Sequence, residues 1–375
     1  MKGRHKPLFG RSLFIVILLC LTSRYSHCTV SVLYGERNLN ENKLAIYFDK
    51  EGSIYPNYFI SDVSLSAVSG SLARWYSIND KDFIQLARLY HCGFKYYSVA
   101  NAQTLNDSIE ATVLRKINSQ TTAYHSVSFM LHGYRKAYKE GTSRYTSVRD
   151  YNTLKATILS YNYKKTLLIE LYWDGSFAEI SYKNRKTVFE AFEQAQTNAD
   201  KTGEKLRKVL SAVKFERINL ISHSLGARVL CSALFQNTPT SNTFATPNQT
   251  VNICLVAPAI AGVEVFKNYY KRNTSLDFKT KDNYTLSVVY NKNDFVLMKK
   301  EPMMGVFGPG PRKYGNTTLG CNYRDEAIKL TNYFKANFKN STFNLYDAAD
   351  VGKCHFVSCY CGSDVLKTAL IMIDK

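Results

Sequence analysis

From residue 125 onward, short apolar runs alternate with longer amphipathic segments. Runs of four to seven residues rich in Val, Ile, Leu and aromatic side chains predict buried strands at 126–131, 166–172, 251–257, 284–290 and 343–346. The segments between them predict helices near 145–160, 184–211 and 323–338, and a last helix from about 363. This alternation indicates an α/β fold with a mostly parallel central sheet and helices on both faces.

The region before residue 121 has a weaker pattern. It predicts strands near 30–34 and 43–48, a turn at 49–52 and helices near 80–91 and 104–117. No linker rich in Pro, Gly or Ser separates this region from the remainder of the chain. We therefore expect three parts: a signal peptide at 1–28, an N-terminal extension at 29–120 that starts or caps the sheet, and the main domain at 121–375.

The sharpest change of pattern lies within residues 216–236. The apolar run 218–221 stops at Ser222-His223-Ser224-Leu225-Gly226, and a segment rich in Leu, Val and Ala comes directly after it. This order predicts a strand, a sharp turn and a helix. The turn differs from the G-x-S-x-G nucleophile elbow only at Ser222, which makes Ser224 a candidate nucleophile. The alternative is an ordinary polar turn, because five-residue patterns of this kind also arise by chance.

Candidate partners for this serine come after other predicted strands. A serine that attacks a carbonyl needs a base to take its proton and an acid to orient that base. His355 is the one histidine downstream of the turn and is the candidate base, although it could also be a structural histidine. Asp294 is the candidate acid, with Glu264 as the substitute, but an aspartate there could also simply cap a helix. The order Ser224, Asp294, His355 is that of α/β-hydrolase triads.

Two further strand ends carry residues suited to binding a substrate. His132-Gly133-Tyr134 comes directly after strand 126–131, and a glycine lets a backbone N–H approach a substrate closely. We predict the backbone N–H groups of Tyr134 and Leu225 as oxyanion donors, although His132-Gly133 could be an ordinary strand-to-loop turn. The residues predicted to contact substrate are His132, Gly133, Trp173 and His223.

These motifs together resemble the α/β-hydrolase superfamily. They are Leu131-His132-Gly133-Tyr134, the Leu-Tyr-Trp-Asp strand end at 171–174, the segment 221–230 and the segment 290–294. The sequence is similar over about 125–375 to a bacterial branch that pairs an H-G-[FY] turn with an H-S-[LM]-G-[AS]-R elbow. The resemblance implies a serine hydrolase with Ser224, Asp294 and His355 as its triad and Tyr134 and Leu225 as its oxyanion donors.

The chain is strongly basic, but the distribution of its basic residues argues against a nucleic-acid partner. The formal charge is +19, of which residues 1–28 contribute five Lys or Arg and no acidic residue, so a chain cut after Cys28 keeps 19 − 5 = +14. The basic residues are scattered and are not interleaved with aromatic residues in a nucleic-acid-binding pattern. We expect no nucleic-acid partner, while peripheral contact with an anionic membrane stays open.

The N-terminus is typical of an export signal. Basic residues precede an apolar run at 13–21 that is too short to cross a bilayer comfortably, and Ser26 and Cys28 stand at the −3 and −1 positions of a cleavage site. We expect an exported, secreted or periplasmic protein. The alternative is an uncleaved signal anchor that tethers the chain to the membrane.

Export would place the remaining seven cysteines in an oxidising compartment, where some should form disulfides. Cys231 and Cys254 lie in apolar segments and are expected to remain buried thiols. The cluster Cys354, Cys359 and Cys361 around His355 could bind zinc, but it lacks the two-residue gaps of common structural zinc sites, and disulfides are favoured outside the cell. The pairing itself is left open.

The sequence therefore predicts an exported serine hydrolase that cleaves acyl or lipid esters through an acyl-enzyme on Ser224, without a metal or organic cofactor. Residues 259–283 and 296–320 are expected to shape its pocket. Two alternatives remain: a catalytically inactive binding or surface protein with the same fold, and an acyltransferase with the same triad. The oligomeric state and the natural acyl chain are not predicted.

Overall fold

The computed structural model describes residues 44–56, 71–134, 147–161, 166–175, 185–236, 249–270, 283–299, 317–338 and 340–374. The predicted signal at 1–28 and the predicted strand at 30–34 lie outside these ranges. So do 271–282 and 300–316, which make up much of the two segments expected to shape the pocket.

Seven strands form one sheet in the described part of the chain. They are β1 (Ala45–Tyr47), β2 (Ser126–Leu131), β3 (Thr166–Tyr172), β4 (Arg217–His223), β5 (Thr250–Val256), β6 (Asn283–Tyr290) and β7 (Thr342–Asp347). Their order across the sheet is β1-β3-β2-β4-β5-β6-β7, and every neighbouring pair is parallel. The carboxyl ends of all seven strands therefore lie at one edge, where α/β proteins gather their ligands.

Helices surround this sheet and connect its strands. They are α1 (Leu72–Ile78), α2 (Asp80–Leu89), α3 (Val99–Asn118), α4 (Ser147–Ser160), α5 (Arg185–Ala212), α6 (Gly226–Phe235), α7 (Glu326–Asn337), α8 (Val357–Cys361) and α9 (Asp364–Asp374). Shorter turns are the π-helix Val265–Tyr270 and the 3-10 helices Tyr323–Asp325 and Ala349–Val351. The predicted α/β class is confirmed, and the sheet is parallel throughout.

The central strands are buried and mostly apolar because both of their faces are covered, and their polar residues Ser128, Asn219 and Asn252 are linked by hydrogen bonds. All six residues of β2 are buried, as are six of the seven in β4 and in β5. Strands covered on two faces tend to show apolar runs in place of alternation. For this reason the predicted bounds of these strands agree with the observed bounds to within one or two residues. Cys231 and Cys254 are buried free thiols, as predicted, and burial raises the pKa of Cys254 to about 12.

The extension contributes the first strand of the sheet. β1 pairs with β3 at the sheet edge, with Ala45 opposite Glu170. The turn after β1 is anchored by Asp49, whose carboxylate accepts the backbone N–H groups of Glu51, Ser53 and Leu72. The last of these hydrogen bonds, at 2.9 Å, ties the turn to the start of α1.

Four helices differ from the predicted elements. One of them, α3, begins at Val99 and not near residue 104. Helix α1 is not predicted, and the helix expected over 323–338 begins only at Glu326, after a 3-10 turn. The reason is that Asn322, Arg324 and Asp325 adopt φ angles of 47°, 51° and 60°, which an α-helix cannot contain. The last helix is preceded by α8, and the two are separated at Gly362.

None of the helices within the described ranges is both long and apolar enough to cross a membrane.

Candidate active site

Ser224 occupies the turn between β4 and α6, as the sequence pattern predicts for an elbow. Its φ angle is 54°, in the left-handed region that residues other than glycine rarely adopt. The turn is held from both sides: the Ser224 N–H donates to the carbonyl of Val256 at 3.0 Å, and the Ala259 N–H donates to the carbonyl of Ser224 at 3.0 Å. These bonds to the end of β5 hold the strained conformation in place.

Glycines allow the segment after β2 to lie directly against this turn. A Cβ atom on Gly133 would stand 2.7 Å from the Cβ of Ser224, and one on Gly226 would stand 2.6 Å from the carbonyl oxygen of His132. Contacts this short do not occur between real side chains and backbone. The absence of both Cβ atoms therefore lets the His132-Gly133 turn approach the serine closely.

The structure brings Ser224, His355 and Asp294 into one chain of hydrogen bonds. The Nε2 atom of His355 lies 2.9 Å from Ser224 Oγ, and its Nδ1 atom lies 2.6 Å from Asp294 Oδ2. An ionised carboxylate can only accept, so Nδ1 carries a proton and Nε2 is the acceptor for the serine hydroxyl. This arrangement can remove a proton from Ser224 and stabilise the imidazolium that results. Glu264 is exposed, and the acid that contacts His355 is Asp294.

Asp294 is fully buried and uses both of its oxygens. Oδ1 accepts the backbone N–H groups of Val296 at 2.9 Å and Leu297 at 3.2 Å, so the capping role considered from the sequence is also present. Oδ2 accepts the hydroxyl of Tyr360 at 3.1 Å besides the imidazole of His355. The carboxylate is thus fixed in the orientation in which it meets His355.

The backbone around His355 is held by a disulfide and by a second histidine. Cys354 and Cys359 form the disulfide, with their Cα atoms 6.4 Å apart, and so close a short loop around His355. The Nε2–H of His223 donates to the carbonyl oxygen of His355 at 2.7 Å. His223 is 4% exposed, so its side chain supports this loop and presents little surface to a substrate.

His132 fixes the peptide that carries the predicted oxyanion donor. Its Nδ1–H donates to the carbonyl of Gly133 at 2.9 Å, and its Nε2 accepts the N–H of Trp173 at 3.3 Å. The peptide unit is planar and trans, so the N–H of Tyr134 points opposite to the Gly133 carbonyl. The imidazole of His132 therefore sets the direction of the Tyr134 N–H. No described residue accepts a hydrogen bond from the Leu225 N–H at the head of α6.

The side chains of His132 and Trp173 are buried and not exposed at the surface of the site. Trp173 is 0% exposed, stacks on the His132 ring at 5.7 Å and donates its indole N–H to the His132 carbonyl at 2.9 Å. The hydroxyl of Tyr151 accepts the His132 N–H at 3.0 Å and itself donates to the Leu171 carbonyl. Neither His132 nor Trp173 has exposed side-chain surface for a substrate. The predicted substrate contacts of these two residues are therefore wrong, and their side chains instead hold the backbone of the His132-Gly133 turn.

Sequence reasoning missed two tyrosines of this site. Tyr360 lies on α8 and Tyr151 on α4, and burial raises the pKa of both phenols, with the neighbouring acids Asp294 and Glu170 adding to the shift. Both hydroxyls therefore stay protonated and can donate. A tyrosine five residues after His355 gave no signal in a chain that contains 27 tyrosines.

Metal ligation has no support in the described ranges, which contain no group of three His, Cys, Asp or Glu side chains placed to hold an ion. The sulfurs of Cys354 and Cys359 are bonded to each other, which leaves no thiolate at either position. These two sulfurs are therefore not available as zinc ligands.

Replacement of His132 by phenylalanine is expected to lower kcat for the ester substrates predicted from the sequence by about 10- to 100-fold with little change in KM. Without Nδ1–H the Gly133 carbonyl can rotate, and the Tyr134 N–H then loses its alignment with charge that develops only in the transition state. His125→Phe, at an exposed position before β2, is the matched control. An unchanged kcat in a folded His132→Phe protein would show that this histidine does not position the donor.

Removal of the disulfide by Cys354→Ala and Cys359→Ala is expected to lower the free energy of unfolding by about 2 kcal/mol, the chain-entropy value for so short a loop. Ester turnover should fall with it, because the backbone of His355 gains freedom. Urea unfolding and steady-state kinetics measure both effects. A reducing agent should lower wild-type turnover and leave the double variant unchanged; wild-type protein that is fully reduced yet equally active would contradict this role.

Comparison with known proteins supports the fold class. Residues 106–301, which are more than half of the chain, match the sequence model of a family described as an alpha/beta hydrolase of unknown function (DUF900). A solved structure titled as the "putative cell surface hydrolase" of Lactobacillus plantarum is 10% identical and covers 66% of this chain and 88% of its own, with a TM-score of 0.29, a likeness too low to argue from. No curated protein matches the sequence.

Proposed function

The chain belongs to the alpha/beta-hydrolase family of unknown function (DUF900), and we propose that it is a serine hydrolase that cleaves carboxylic esters through an acyl-enzyme. One observation carries this proposal: His355 lies within hydrogen-bond distance of Ser224 on one side, at 2.9 Å, and of Asp294 on the other, at 2.6 Å. A nucleophile, a base and an orienting acid in this relation are what acyl transfer through serine requires.

The first half of the reaction forms the acyl-enzyme. Nε2 of His355 takes the proton of the Ser224 hydroxyl while Oγ attacks the ester carbonyl carbon. The carbonyl oxygen gains the negative charge and is met by the backbone N–H groups of Tyr134 and Leu225. The tetrahedral intermediate then collapses, the bond to the leaving alkoxide breaks, and the imidazolium of His355 returns its proton to that oxygen.

The second half repeats these roles with water. His355 takes a proton from a water molecule whose oxygen attacks the acyl carbon, and the bond to Ser224 Oγ breaks. The imidazolium then reprotonates Oγ, which restores the free enzyme and releases the carboxylic acid. Asp294 remains ionised throughout and stabilises the positive imidazole in both halves.

The natural substrate is proposed to be an acyl or lipid ester met outside the cytoplasm. Support for export comes from the basic and apolar pattern of residues 1–28 and from the Cys354–Cys359 disulfide, a bond that persists in oxidising compartments. A secreted or periplasmic enzyme with a formal charge of +14 could also contact anionic membrane surfaces peripherally.

A panel of p-nitrophenyl esters of increasing acyl length, assayed with the purified protein, tests this function. We expect saturable release of nitrophenol with a preference for one range of chain lengths, and a loss of nearly all of this activity in Ser224→Ala. Added alcohol acceptors separate hydrolysis from acyl transfer, since a transferase would form a new ester in place of the free acid. A folded protein that turns over no ester, with or without an acceptor, would favour the binding-protein alternative.

A further inference from the structure

A polar cavity of about 450 Å³ lies beside the turn that carries Asp294. It opens where β6 and β7 end, and residues 321–325 form much of its wall. We name it the Lys299 cavity after the lysine whose side chain lines it. Ser224, Asp294 and His355 do not line it, so it is separate from the candidate active site.

Lys299 is buried without an obvious reason in the fold. It is 4% exposed, and its Nζ atom has no hydrogen-bond partner and no ion pair among the described residues. A buried ammonium group without a partner is unfavourable because it has lost its hydration, which is why buried lysines are nearly always paired. A ligand that supplies the missing negative charge would remove this cost.

The groups around Lys299 do not neutralise it. The electrostatic neighbour that acts on it is Cys321, and burial raises the pKa of that thiol to about 11, so the sulfur is neutral near pH 7. Burial lowers the pKa of Lys299 to about 8, which leaves the amine mostly protonated near pH 7. A neutral thiol therefore faces a cation.

The other charged groups of the cavity leave an excess of positive charge. Asp347 is paired with Lys292, whose Nζ lies 4.0 Å from its carboxylate. Arg324 is exposed at the rim, with its guanidinium 5.1 Å from the centre of the Tyr323 ring. Asp325 then remains as the one further carboxylate of the lining, against the two cations Lys299 and Arg324.

We propose that the Lys299 cavity binds a small organic anion through a carboxylate or phosphate group, with Lys299 Nζ as the central donor and Arg324 at the rim. The volume lies within the range of about 300–1,000 Å³ that small-molecule sites occupy. A cavity of this size has room for an organic body beside the charged group. The rings of Tyr290 and Tyr323 in the lining can contact that body.

Isothermal titration calorimetry tests this proposal without any assay of hydrolysis. The outcome of the binding experiment is therefore independent of whether the protein hydrolyses esters. Inorganic phosphate and acetate serve as probes of the two head groups, each titrated at a fixed ionic strength set with chloride to remove general screening. We expect saturable binding of at least one probe to the wild-type protein. The probe that binds more tightly identifies the head group.

The deciding comparison is between Lys299→Met and Lys329→Met. The first removes the buried ammonium and should weaken binding by about 10-fold or more, because charge-assisted hydrogen bonds to a buried cation are lost. The second removes an exposed lysine of α7 that pairs with Glu326 and should bind as wild type does. Arg324→Gln at the exposed rim should fold normally and weaken binding several-fold.

Two results would overturn the proposal. One is wild-type protein that binds neither phosphate nor acetate. The other is binding that Lys299→Met leaves unchanged or, should that variant not fold, that Arg324→Gln leaves unchanged.

Discussion

Replacement of Ser224 by alanine is expected to lower kcat/KM for an ester by about 10⁴- to 10⁶-fold, the loss found when the nucleophile of a serine triad is removed. His355→Ala should cost about as much, because a triad acts as a unit and neither residue works without the other. The double variant should be no worse than either single one. Burst and steady-state kinetics on the same ester measure all three.

Ser222→Ala is the matched control for this experiment, because it removes a hydroxyl two residues away in the same turn. Ser222 is 1% exposed, and its hydroxyl oxygen has no hydrogen-bond partner among the described residues. The variant should keep full activity and gain a little stability, since a buried unsatisfied hydroxyl is removed. If Ser222→Ala lost activity while Ser224→Ala kept it, Ser224 would not be the nucleophile.

Replacement of Asp294 by asparagine is expected to lower kcat by about 10⁴-fold. The four groups around this carboxylate are all donors: the imidazole of His355, the hydroxyl of Tyr360, and the N–H groups of Val296 and Leu297. An asparagine must point its NH₂ group at one pair of these donors, whichever way the amide turns. If the NH₂ group faces His355, the imidazole must move its proton to Nε2 and can no longer accept the proton of Ser224.

The mismatch between the asparagine NH₂ group and the surrounding donors in Asp294→Asn should also lower the stability of the protein. One pair of buried donors loses its acceptor, so the free energy of unfolding should fall by about 1–3 kcal/mol, measured by urea unfolding. Glu264→Gln, the same chemical change at the exposed acid, should alter neither kcat nor stability. Turnover within a few-fold of wild type in Asp294→Asn would show that Asp294 does not orient the base.

The strands and the elbow could be predicted because their causes are local. β2, β4 and β5 are covered on both faces, and such strands are mostly apolar runs that end abruptly. The elbow is a strand, a strained serine turn and a helix within one short segment. Asp294 and His355 could be proposed because parallel strands bring their carboxyl ends to one edge.

The supporting contacts could not be predicted, because each joins residues far apart in sequence through a single atom. Tyr360 reaches Asp294 across 66 positions, and His223 reaches the carbonyl of His355 across 132. The roles of His132 and Trp173 depended on which side of the turn their rings occupy, and a sequence pattern does not contain that information. The predicted helix over 323–338 begins later than expected because residues such as Arg324 adopt left-handed φ angles. These residues are not glycines, so the sequence gives no sign of that conformation.

The most direct test of a serine nucleophile at Ser224 is to react the purified protein with a fluorophosphonate and to locate the adduct by mass spectrometry, beside His355→Ala. These reagents phosphonylate serines that a neighbouring base has activated. We expect a single adduct on Ser224 of the wild-type protein and none on the folded His355→Ala variant. A folded wild-type protein that stays unlabelled, or that carries its adduct on another residue, would contradict this expectation.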